Sequence, residues 1–520
     1  MHKKILLFLC FVLWPLLTLA EWTADTAWVR TYNGPANATD WAEDIAVDAS
    51  GNVYVTGYSF GSGTQFDYAT IKYLPDGDVA VGWPRRYNGP GNSHDWAQAI
   101  AVDGSGNVCV TGPSYGSGTG DDYASIKYLP NGLYARIWPR RYNGPGNSTD
   151  WASDIAVDGS GYVYVTGASV GSGTDFDYAT IKYYPDGDTA WVRRYDGPTH
   201  GDDRSSAIAV DGSGYVYVTG AGVGSGTSYD YVTIKYYPDG DTAWVRRFDG
   251  TGNDSDYAYA IAVDGSGSVY VTGWSLGNGT SHDYLTIKYL SNGNIAPGFW
   301  PARYDGPAHV TDNAYAIAVD ASGYVYVTGE SQWNYCTIKY HFNGDTAWVR
   351  TYNGPANHMD ISRAIALDDS GNVYVTGVSA KTYVWPLGNI DFATIKYHPN
   401  GETDWINRYN GPADDWDNAF ALALDESANI YVTGYSVGFG TELDYATIKY
   451  VNLEFLRGDA NGDGEINVSD VVYLSNYFYR GGPPPYPWEA GDADCDGDVD
   501  EDDMYYLIDY LFRSGPPPVC

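Results

Sequence analysis

Short runs of alternating apolar and polar residues recur along most of the chain, always in the same order. Two of them lie close together, VYVTG ending at Gly57 and DYATIKY ending at Tyr73. Both are rich in β-branched and aromatic residues and are bounded by Gly, Asn, Asp or Pro, which is typical of strands. The pattern therefore predicts an all-β region built from short strands.

This pattern returns eight times at intervals of 48 to 57 residues, a period close to that of propeller blades. Each copy supplies four strands, which in the first copy are predicted at residues 42–47, 52–56, 67–73 and 83–87. Eight four-stranded units predict an eight-bladed β-propeller, in which radial packing leaves few open sheet edges. The glycine that ends VYVTG marks the copies at Gly57, Gly112, Gly167, Gly220, Gly273, Gly329, Gly377 and Gly434.

The two ends of the repeat region indicate how the ring closes. A lone strand of the fourth type, residues 28–32, precedes the first copy, and the eighth copy ends at Tyr450 without one. We therefore predict that residues 28–32 pair with residues 444–450 and join the first blade to the last. In the alternative, residues 451–455 complete the last blade and residues 28–32 lie outside the sheet.

The segments AIAVD, GNVYVTG, DYATIKY and WVRRYNGP resemble the SBBP-type β-propeller repeat. The resemblance covers residues 25–450 and implies the fold, but no single chemistry. That family is usually described as seven-bladed, and this chain has eight copies.

Residues 1–20 have the pattern of a secretory signal peptide. Lys3 and Lys4 precede an apolar run from Ile5 to Leu17, and cleavage is expected after Ala20. The run is too short to span a membrane, and no second run approaches that length. We therefore expect a secreted protein, extracellular or associated with the cell surface, with its propeller at residues 21–455.

The chain carries 65 acidic and 29 basic residues, for a formal net charge of −36. This excess disfavours nucleic acid and anionic membranes as partners and favours cations. Cys109 and Cys336 replace strand residues of the repeat and are expected to be buried thiols. Cys495 and Cys520 near the C-terminus are a possible disulfide in an oxidising compartment.

Two polar positions recur around the predicted ring. A lysine in the third strand, Lys72 in the first copy, is expected to pair with an aspartate such as Asp67 and to join neighbouring blades. An aspartate before the first strand is expected to accept backbone hydrogen bonds within its own loop, although a ring of carboxylates that attracts cations is the alternative. These aspartates are Asp40, Asp95, Asp150, Asp203, Asp256, Asp312, Asp360 and Asp417.

Loop lengths give the propeller a candidate functional face. The link from the second strand to the third, and the link into the next blade, are about ten residues long and emerge on the same side. The loops that depart from the repeat there hold Glu330 and Trp333 in blade six and Lys381, Tyr383 and Trp385 in blade seven. Aromatic rings beside charges suit stacking on a sugar, so polysaccharide is a candidate partner. Ordinary variation between copies is the alternative.

The sequence contains no nucleophile elbow, phosphate-binding loop or HExxH motif, and we assign no catalytic residue. Acid pairs such as Asp202-Asp203 are a possible basis for glycoside hydrolysis, but they are expected by chance in so acidic a chain. The sequence thus favours a non-enzymatic binding or scaffold protein. A glycan-active enzyme, a hydrolase or a lyase, is the alternative.

The chain changes character at Arg457. Residues 459–470 and 492–503 each fit a twelve-residue calcium loop, with oxygen-bearing residues at alternate positions and glycine at the sixth. We therefore predict two calcium ions. The expected ligands are Asp459, Asn461, Asp463, the carbonyl of Glu465, Asn467 and Asp470 in the first loop, and Asp492, Asp494, Asp496, the carbonyl of Asp498, Asp500 and Asp503 in the second.

Each calcium loop is followed by an apolar-faced helix that ends before a Pro-Pro-Pro sequence. This duplicated unit resembles a type I dockerin over residues 456–520. The resemblance implies calcium-dependent folding and docking onto a cohesin module, in assemblies that mostly degrade polysaccharide. The tenth and eleventh loop positions, commonly Ser-Thr-like in that family, are Val468-Ser469 and Glu501-Asp502 here. Packing of the dockerin on its own propeller is the alternative to a cohesin partner.

Overall fold

The computed structural model describes residues 25–251, 253–277, 279–381, 389–451, 458–463, 465–485, 488–494, 498–513, 515–516 and 518. The chain divides into two compact units, one formed by Ala24–Asn452 and the other containing Leu453–Cys520. Several predictions concern residues outside the described ones. These are the signal peptide at residues 1–20, the ligand candidates Tyr383 and Trp385, the calcium ligand Asp496, and the cysteine pair Cys495 and Cys520.

The first unit consists of eight four-stranded antiparallel sheets. In seven of them the strands follow one another in sequence order, and in the eighth the N-terminal strand β1 (Asp25–Tyr32) takes the fourth place. Blades one to four contain β2 (Asp40–Val47), β3 (Val53–Phe60), β4 (Phe66–Tyr73), β5 (Arg85–Tyr87), β6 (Ala99–Val102), β7 (Val108–Gly116), β8 (Gly120–Tyr128), β9 (Arg140–Tyr142), β10 (Asp150–Val157), β11 (Val163–Val170), β12 (Phe176–Tyr183), β13 (Thr189–Tyr195), β14 (Asp203–Val210), β15 (Val216–Val223), β16 (Tyr229–Tyr236) and β17 (Thr242–Phe248). Blades five to eight contain β18 (Asp256–Val263), β19 (Val269–Leu276), β20 (His282–Tyr289), β21 (Ala302–Tyr304), β22 (Asp312–Val319), β23 (Val325–Ser331), β24 (Asn334–Tyr340), β25 (Thr346–Tyr352), β26 (Asp360–Leu367), β27 (Val373–Ala380), β28 (Ile390–Tyr397), β29 (Thr403–Tyr409), β30 (Asp417–Leu424), β31 (Ile430–Val437) and β32 (Leu443–Val451).

The blades close into a ring. The first strand of each blade contacts the first strand of the next, from β2 around to β30 and back to β2. Strand β1 pairs with β32, so that Trp28 lies opposite Lys449 and Tyr32 lies opposite Tyr445. The predicted closure and the eight-bladed fold are therefore confirmed. The alternative with residues 451–455 is wrong because β1 already occupies that edge of the sheet.

Neighbouring blades are joined by buried aromatic and aliphatic side chains. Val53 and Val55 are fully buried on one face of the second strand, and Tyr54 between them is fully buried on the other, because each face packs against a neighbouring blade. Tyr68 is also fully buried, and its hydroxyl donates a 3.0 Å hydrogen bond to the carbonyl of Ala124 in the next blade. The equivalent bond from Tyr445 to the carbonyl of Ala69, also 3.0 Å, closes the ring. These tyrosines thus bury their aromatic rings between neighbouring blades while their hydroxyl groups remain hydrogen-bonded.

Six of the repeated lysines donate to a backbone carbonyl of the next blade, and the partners predicted from the sequence are wrong. The Lys182 ammonium donates to the carbonyl of Pro238 at 3.0 Å and lies over the ring of Tyr164. Asp177 instead pairs with Arg194, 2.6 Å away in the fourth strand of the same blade. A separation of five residues along a strand is about 16 Å, so the lysine cannot reach the aspartate in its own strand.

The C-terminal unit contains the helices α1 (Val468–Arg480), α2 (Trp488–Gly491) and α3 (Glu501–Arg513). The side chain of Asn467 caps α1 by accepting from the Ser469 N–H, and Gly481 ends it in the left-handed conformation. Leu474 and Leu507 are fully buried where the helices pack. Every helix among the described residues is too short or too polar to cross a membrane.

Candidate functional site

The first strands of the blades line the axis of the ring, and two of their positions differ from blade to blade. These are the second position, such as Trp41, and the fourth, such as Glu43, Tyr315 or Arg363. In seven blades a β-bulge follows the third position, as at Ala42 in blade one. A bulge bends the strand and redirects the side chain of the extra residue. The symmetric scaffold therefore presents a variable set of side chains at its axis.

These side chains and their neighbours form a closed circuit of contacts that crosses all eight blades, here called the aromatic collar. Trp41 stacks on Phe420 on one side and on Tyr58 on the other, with ring centroids 5.4 and 5.9 Å apart. The Arg363 guanidinium lies over both Phe420 and Tyr315. In order, the collar runs through Trp96, His94, Asp121, Trp151, Arg204, Asp202, Tyr229, Tyr257, Trp274, Tyr259, Tyr315, Arg363, Phe420, Trp41 and Tyr58, which returns to Trp96.

The collar is polar on one side and aromatic on the other. On the polar side, Oδ2 of Asp121 accepts from the Trp151 indole at 3.0 Å, and Oδ1 lies 2.9 Å from Nε2 of His94. Asp202 accepts from Arg204 at 2.9 Å and from the Tyr229 hydroxyl at 3.2 Å. An asymmetric ligand would therefore meet different chemistry on the two sides and bind in one orientation.

Glu43 belongs to the axial set of side chains and carries a strongly shifted carboxyl. Burial and the nearby Asp44 raise the pKa of Glu43 to about 8, and the charge of Arg363 opposes this rise. Burial also raises the pKa of Asp44 to about 6, although its two oxygens accept from the backbone N–H groups of Ile45 and Ile100. Asp44 is therefore fixed to the backbone, whereas Glu43 is the titratable group of this part of the axis.

Replacement of Glu43 by glutamine should remove a pH-dependent loss of stability. Because the folded pKa of about 8 lies above the unfolded value of about 4.3, the unfolded chain ionises first and wild-type stability falls as the pH rises from about 4 to 8. We expect Glu43→Gln to melt with the wild type near pH 4 but about 2–4 °C above it near pH 9. Thermal denaturation followed by tryptophan fluorescence measures this. Glu426→Gln, at an exposed hairpin, is the control, and an equal shift of Glu43→Gln at both pH values would refute the assignment.

The residues predicted from the atypical loops are not gathered into one site. Glu330 is buried beside the collar, where its Oε1 accepts from Asn313 at 2.7 Å and from the Tyr315 hydroxyl at 2.9 Å. The Trp333 side chain is 60% exposed. Lys381 pairs with Asp414 at 2.5 Å on the surface. Within the described part of the chain, no contact joins Trp333 or Lys381 to the collar.

The repeated aspartates before the first strands behave as predicted. The Gly34 N–H donates to Oδ2 of Asp40, and the equivalent bond of 2.5 to 2.7 Å is present in all eight copies. These carboxylates are buried and hold the loop that enters each blade. Cys109 and Cys336 are free and fully buried, and burial raises the pKa of each thiol to about 12, so both are structural.

The second dockerin loop brings its acidic side chains together. One oxygen each from Asp492, Asp494 and Asp503 lies within 4.8 Å of the other two. Burial raises the pKa of Asp503 to about 6, although its carboxylate accepts the N–H groups of Ala493, Asp494 and Asp500. A cation between these oxygens would favour the ionised form and offset the desolvation. The residues therefore fit a calcium ion.

The first dockerin loop is closed by the same hydrogen bonds. Asp470, which is fully buried, accepts from the N–H of Asn461 at 3.1 Å and from the N–H of Asn467 at 2.8 Å. The carboxylate of Asp459 accepts from the N–H of Asp463 at 3.0 Å. Burial and the charges of Asp459 and Asp463 raise the pKa of Asp470. These contacts close the loop as a calcium loop requires, but among the described residues Asp459, Asp463 and Asp470 do not gather as closely as the three acids of the second loop.

Fold and site together define an eight-bladed β-propeller with an axial aromatic collar and a separate helical unit that carries two acidic loops. The chain contains β-propeller repeats and a dockerin type I domain. The family model for the beta-propeller repeat matches residues 30–63, 137–173 and 243–279, and the model for the dockerin type I domain matches residues 457–512. The resemblance drawn from the sequence is thereby confirmed.

Solved structures with similar backbones are distant from this chain. A protein from Lactobacillus plantarum is 13% identical, with 69% of this chain and 95% of that one covered and a TM-score of 0.42. Drosophila Plexin A in complex with Semaphorin 1b is 10% identical, with 83% and 88% covered and a TM-score of 0.40. A protein of unknown function from Bacteroides caccae is 11% identical, with 58% and 94% covered and a TM-score of 0.33. Likenesses this weak carry no argument about function. Comparison with curated proteins found no match.

Proposed function

We propose that this protein is a secreted, non-enzymatic binding module of an extracellular assembly. In this proposal the propeller holds a polysaccharide chain at the aromatic collar, and the calcium-loaded dockerin attaches the protein to a cohesin-type partner. The combination of a propeller with a dockerin domain supports an assembly or scaffold role. The observation that carries the choice of ligand is the collar itself.

The aromatic side of the collar suits the apolar faces of sugar rings. Trp41, Phe420 and Tyr435 lie within 6 Å of one another by ring centroids, and Tyr257 and Trp274 form a second group with centroids 4.9 Å apart. Aromatic rings with a polar edge bind through their faces while their N–H and O–H groups remain able to hydrogen-bond hydroxyls. The carboxylates and guanidinium groups of the polar side would fix the orientation of the sugar.

The helices of the dockerin carry an exposed apolar surface that supports a protein partner. Val468, Val472 and Tyr479 share one face of α1 and are each 54 to 55% exposed. Tyr505 and Phe512 lie seven residues apart on α3 and are 54% and 66% exposed. Exposed apolar patches of this kind are typical of protein interaction sites. Because Ser469 at the eleventh loop position is bonded within the loop, the valines and aromatic residues are the better contacts for a cohesin-type module.

Alanine at Trp41 and Tyr259 should weaken polysaccharide binding. Loss of either ring should lower the affinity by about tenfold. Tyr259 is 37% exposed and offers a stacking contact, which contributes on the order of 1 kcal/mol beyond the buried area, whereas Trp41 holds Phe420 and Tyr58 in place. Titration calorimetry with a panel of soluble polysaccharides measures this. Trp333→Ala, an exposed tryptophan that does not contact the collar, is the matched control and should bind as the wild type does. Failure of the wild type to bind any member saturably would refute the proposal.

A glycan-active enzyme, a hydrolase or a lyase, is the second candidate, and one observation favours it. A glutamate with a pKa of about 8 beside an arginine is protonated at neutral pH and able to donate a proton. A glycosidase also needs a second enzyme carboxylate beside the scissile bond of the substrate. The adjacent Asp44 does not suit this role, because both of its oxygens accept from backbone N–H groups. Release of reducing ends or unsaturated products that disappears in Glu43→Gln would establish this second function.

A further inference from the structure

Three aspartates meet where blade five joins blade six. Asp283 is the second residue of β20, Asp305 lies in the loop that enters blade six, and Asp312 begins β22. One oxygen from each lies within 4.8 Å of the other two. The group therefore combines carboxylates from two neighbouring blades and from the loop between them.

Each of these three carboxylates has a buried oxygen that receives no hydrogen bond. Oδ2 of Asp283 accepts from Arg303 at 2.6 Å, whereas Oδ1 is buried and has no donor. Oδ2 of Asp305 accepts from His309 at 2.5 Å, and its Oδ1 is likewise buried without a donor. Asp283 is only 1% exposed, so water does not solvate this oxygen. A further carboxylate close to this oxygen adds like-charge repulsion, which a cation between the carboxylates would relieve.

The same arrangement occurs one blade earlier. Asp230, Asp249 and Asp256 also have oxygens within 4.8 Å of one another. Oδ2 of Asp230 accepts from Arg247 at 2.8 Å, and Oδ1 of this 5% exposed residue has no donor. The equivalent Oδ1 atoms of other blades, such as that of Asp177, also lack a donor, so the feature that sets these two interfaces apart is the third carboxylate beside this oxygen.

The other interfaces differ at the loop position. Five copies have asparagine where these two have Asp249 and Asp305, and in the first copy Asn33 donates to the side chain of Asn37 at 2.7 Å. Blade four has Asp196 at this position, but among the described residues Asp196 does not gather with Asp177 and Asp203 within the same distance. The third carboxylate is thus a feature of two interfaces and is not required by the fold.

We propose that each of these two triads binds one calcium-class divalent cation, which joins blades four and five and blades five and six. Calcium binds carboxylate oxygens at about 2.3–2.6 Å, so two ligands of one ion can lie up to about 5 Å apart, as the triads require. Three carboxylates and the paired arginine leave a local charge of about −2, which one divalent cation balances. These sites are separate from the dockerin loops.

The test is calcium titration of the full chain in which the dockerin loops are silenced by Asp459→Ala, Asp470→Ala, Asp492→Ala and Asp503→Ala. We expect two remaining calcium sites by calorimetry and a calcium-induced rise in the melting temperature of the propeller. Asp249→Asn should remove one site, and Asp305→Asn with His309→Asn, which recreates the asparagine pair of other blades, should remove the other. Asp196→Asn with His200→Asn is the matched control and should leave both sites.

The melting temperature in the presence of EDTA shows whether each variant still folds. Variants that melt with their parent in EDTA but no longer bind calcium would support the proposal. If the dockerin-silenced chain binds no calcium, or if the combined Asp249 and Asp305 variants bind as much as their parent, the proposal is wrong.

Discussion

A chain without Asp25–Tyr32 should lose the cooperative unfolding transition of the propeller. Strand β1 is the fourth strand of the last blade, and its removal leaves β32 as an open edge. Trp28, which is 7% exposed, packs against Tyr73 of blade one and Tyr431 of blade eight, with ring centroids 5.8 and 6.0 Å apart. Deletion therefore opens both the last sheet and the interface between the first and last blades. Differential scanning calorimetry measures the transition.

Two controls separate ring closure from ordinary loss of core. A chain shortened only to residue 25 keeps β1 and should melt like the full chain. Trp28→Ala keeps strand β1 but removes the indole side chain. It should lower the free energy of unfolding by about 3–5 kcal/mol while the transition stays cooperative. A cooperative transition at the wild-type temperature in the chain without Asp25–Tyr32 would contradict closure by this strand.

Alanine at both Asp470 and Asp503 should abolish calcium-dependent folding of the C-terminal unit. Each carboxylate is almost fully buried and accepts the backbone N–H groups that close its loop. Because a calcium loop is not preformed in the unfolded chain, the free energy of binding is largely free energy of folding. Hydrogen exchange followed by mass spectrometry should show calcium-dependent protection of residues 468–513 in the wild type and none in the double variant.

The matched control for this prediction is Asp502→Ala. Asp502 is an exposed acid at the eleventh position of the second loop, and its removal changes the net charge without removing an expected ligand. Its protection by calcium should equal that of the wild type. Unchanged protection in the Asp470 and Asp503 double variant would mean that the unit folds without these loops.

The repeated features of this protein could be predicted from its sequence because they depend on local chemistry. Alternation in VYVTG and DYATIKY identified strands, the count of copies gave the blades, and the lone strand at residues 28–32 gave the closure. The partner of Lys182 could not be predicted in this way. It depends on which hairpin carbonyl of the next blade lies beside the ammonium group, and this follows from the packing between blades.

The aromatic collar was missed because no single segment contains it. Its side chains come from all eight blades. Many of them lie at first-strand positions that look like ordinary variation, such as Trp41, Tyr315 or Arg363, and the others lie in second strands, third strands and loops. The prediction followed loops whose length changes, and these led to Glu330 beside the collar but also to Lys381, which pairs with Asp414 instead. The available signal was the variation of the second and fourth strand positions, while the aspartate at Asp40 and the small residue at Ala42 recur in every copy. Only ring closure brings those positions together.

The central claim is that the copied residues build the ring and the variable axial residues hold a polysaccharide without cleaving it. The most direct test is light scattering of a bound polysaccharide, which gives its mass in the complex and again after prolonged incubation with the protein. We expect the wild type to bind the polymer and release it with unchanged mass, and the variant with Trp41→Ala and Tyr259→Ala not to bind it. A polymer that becomes shorter with the wild type but not with Glu43→Gln would contradict this account.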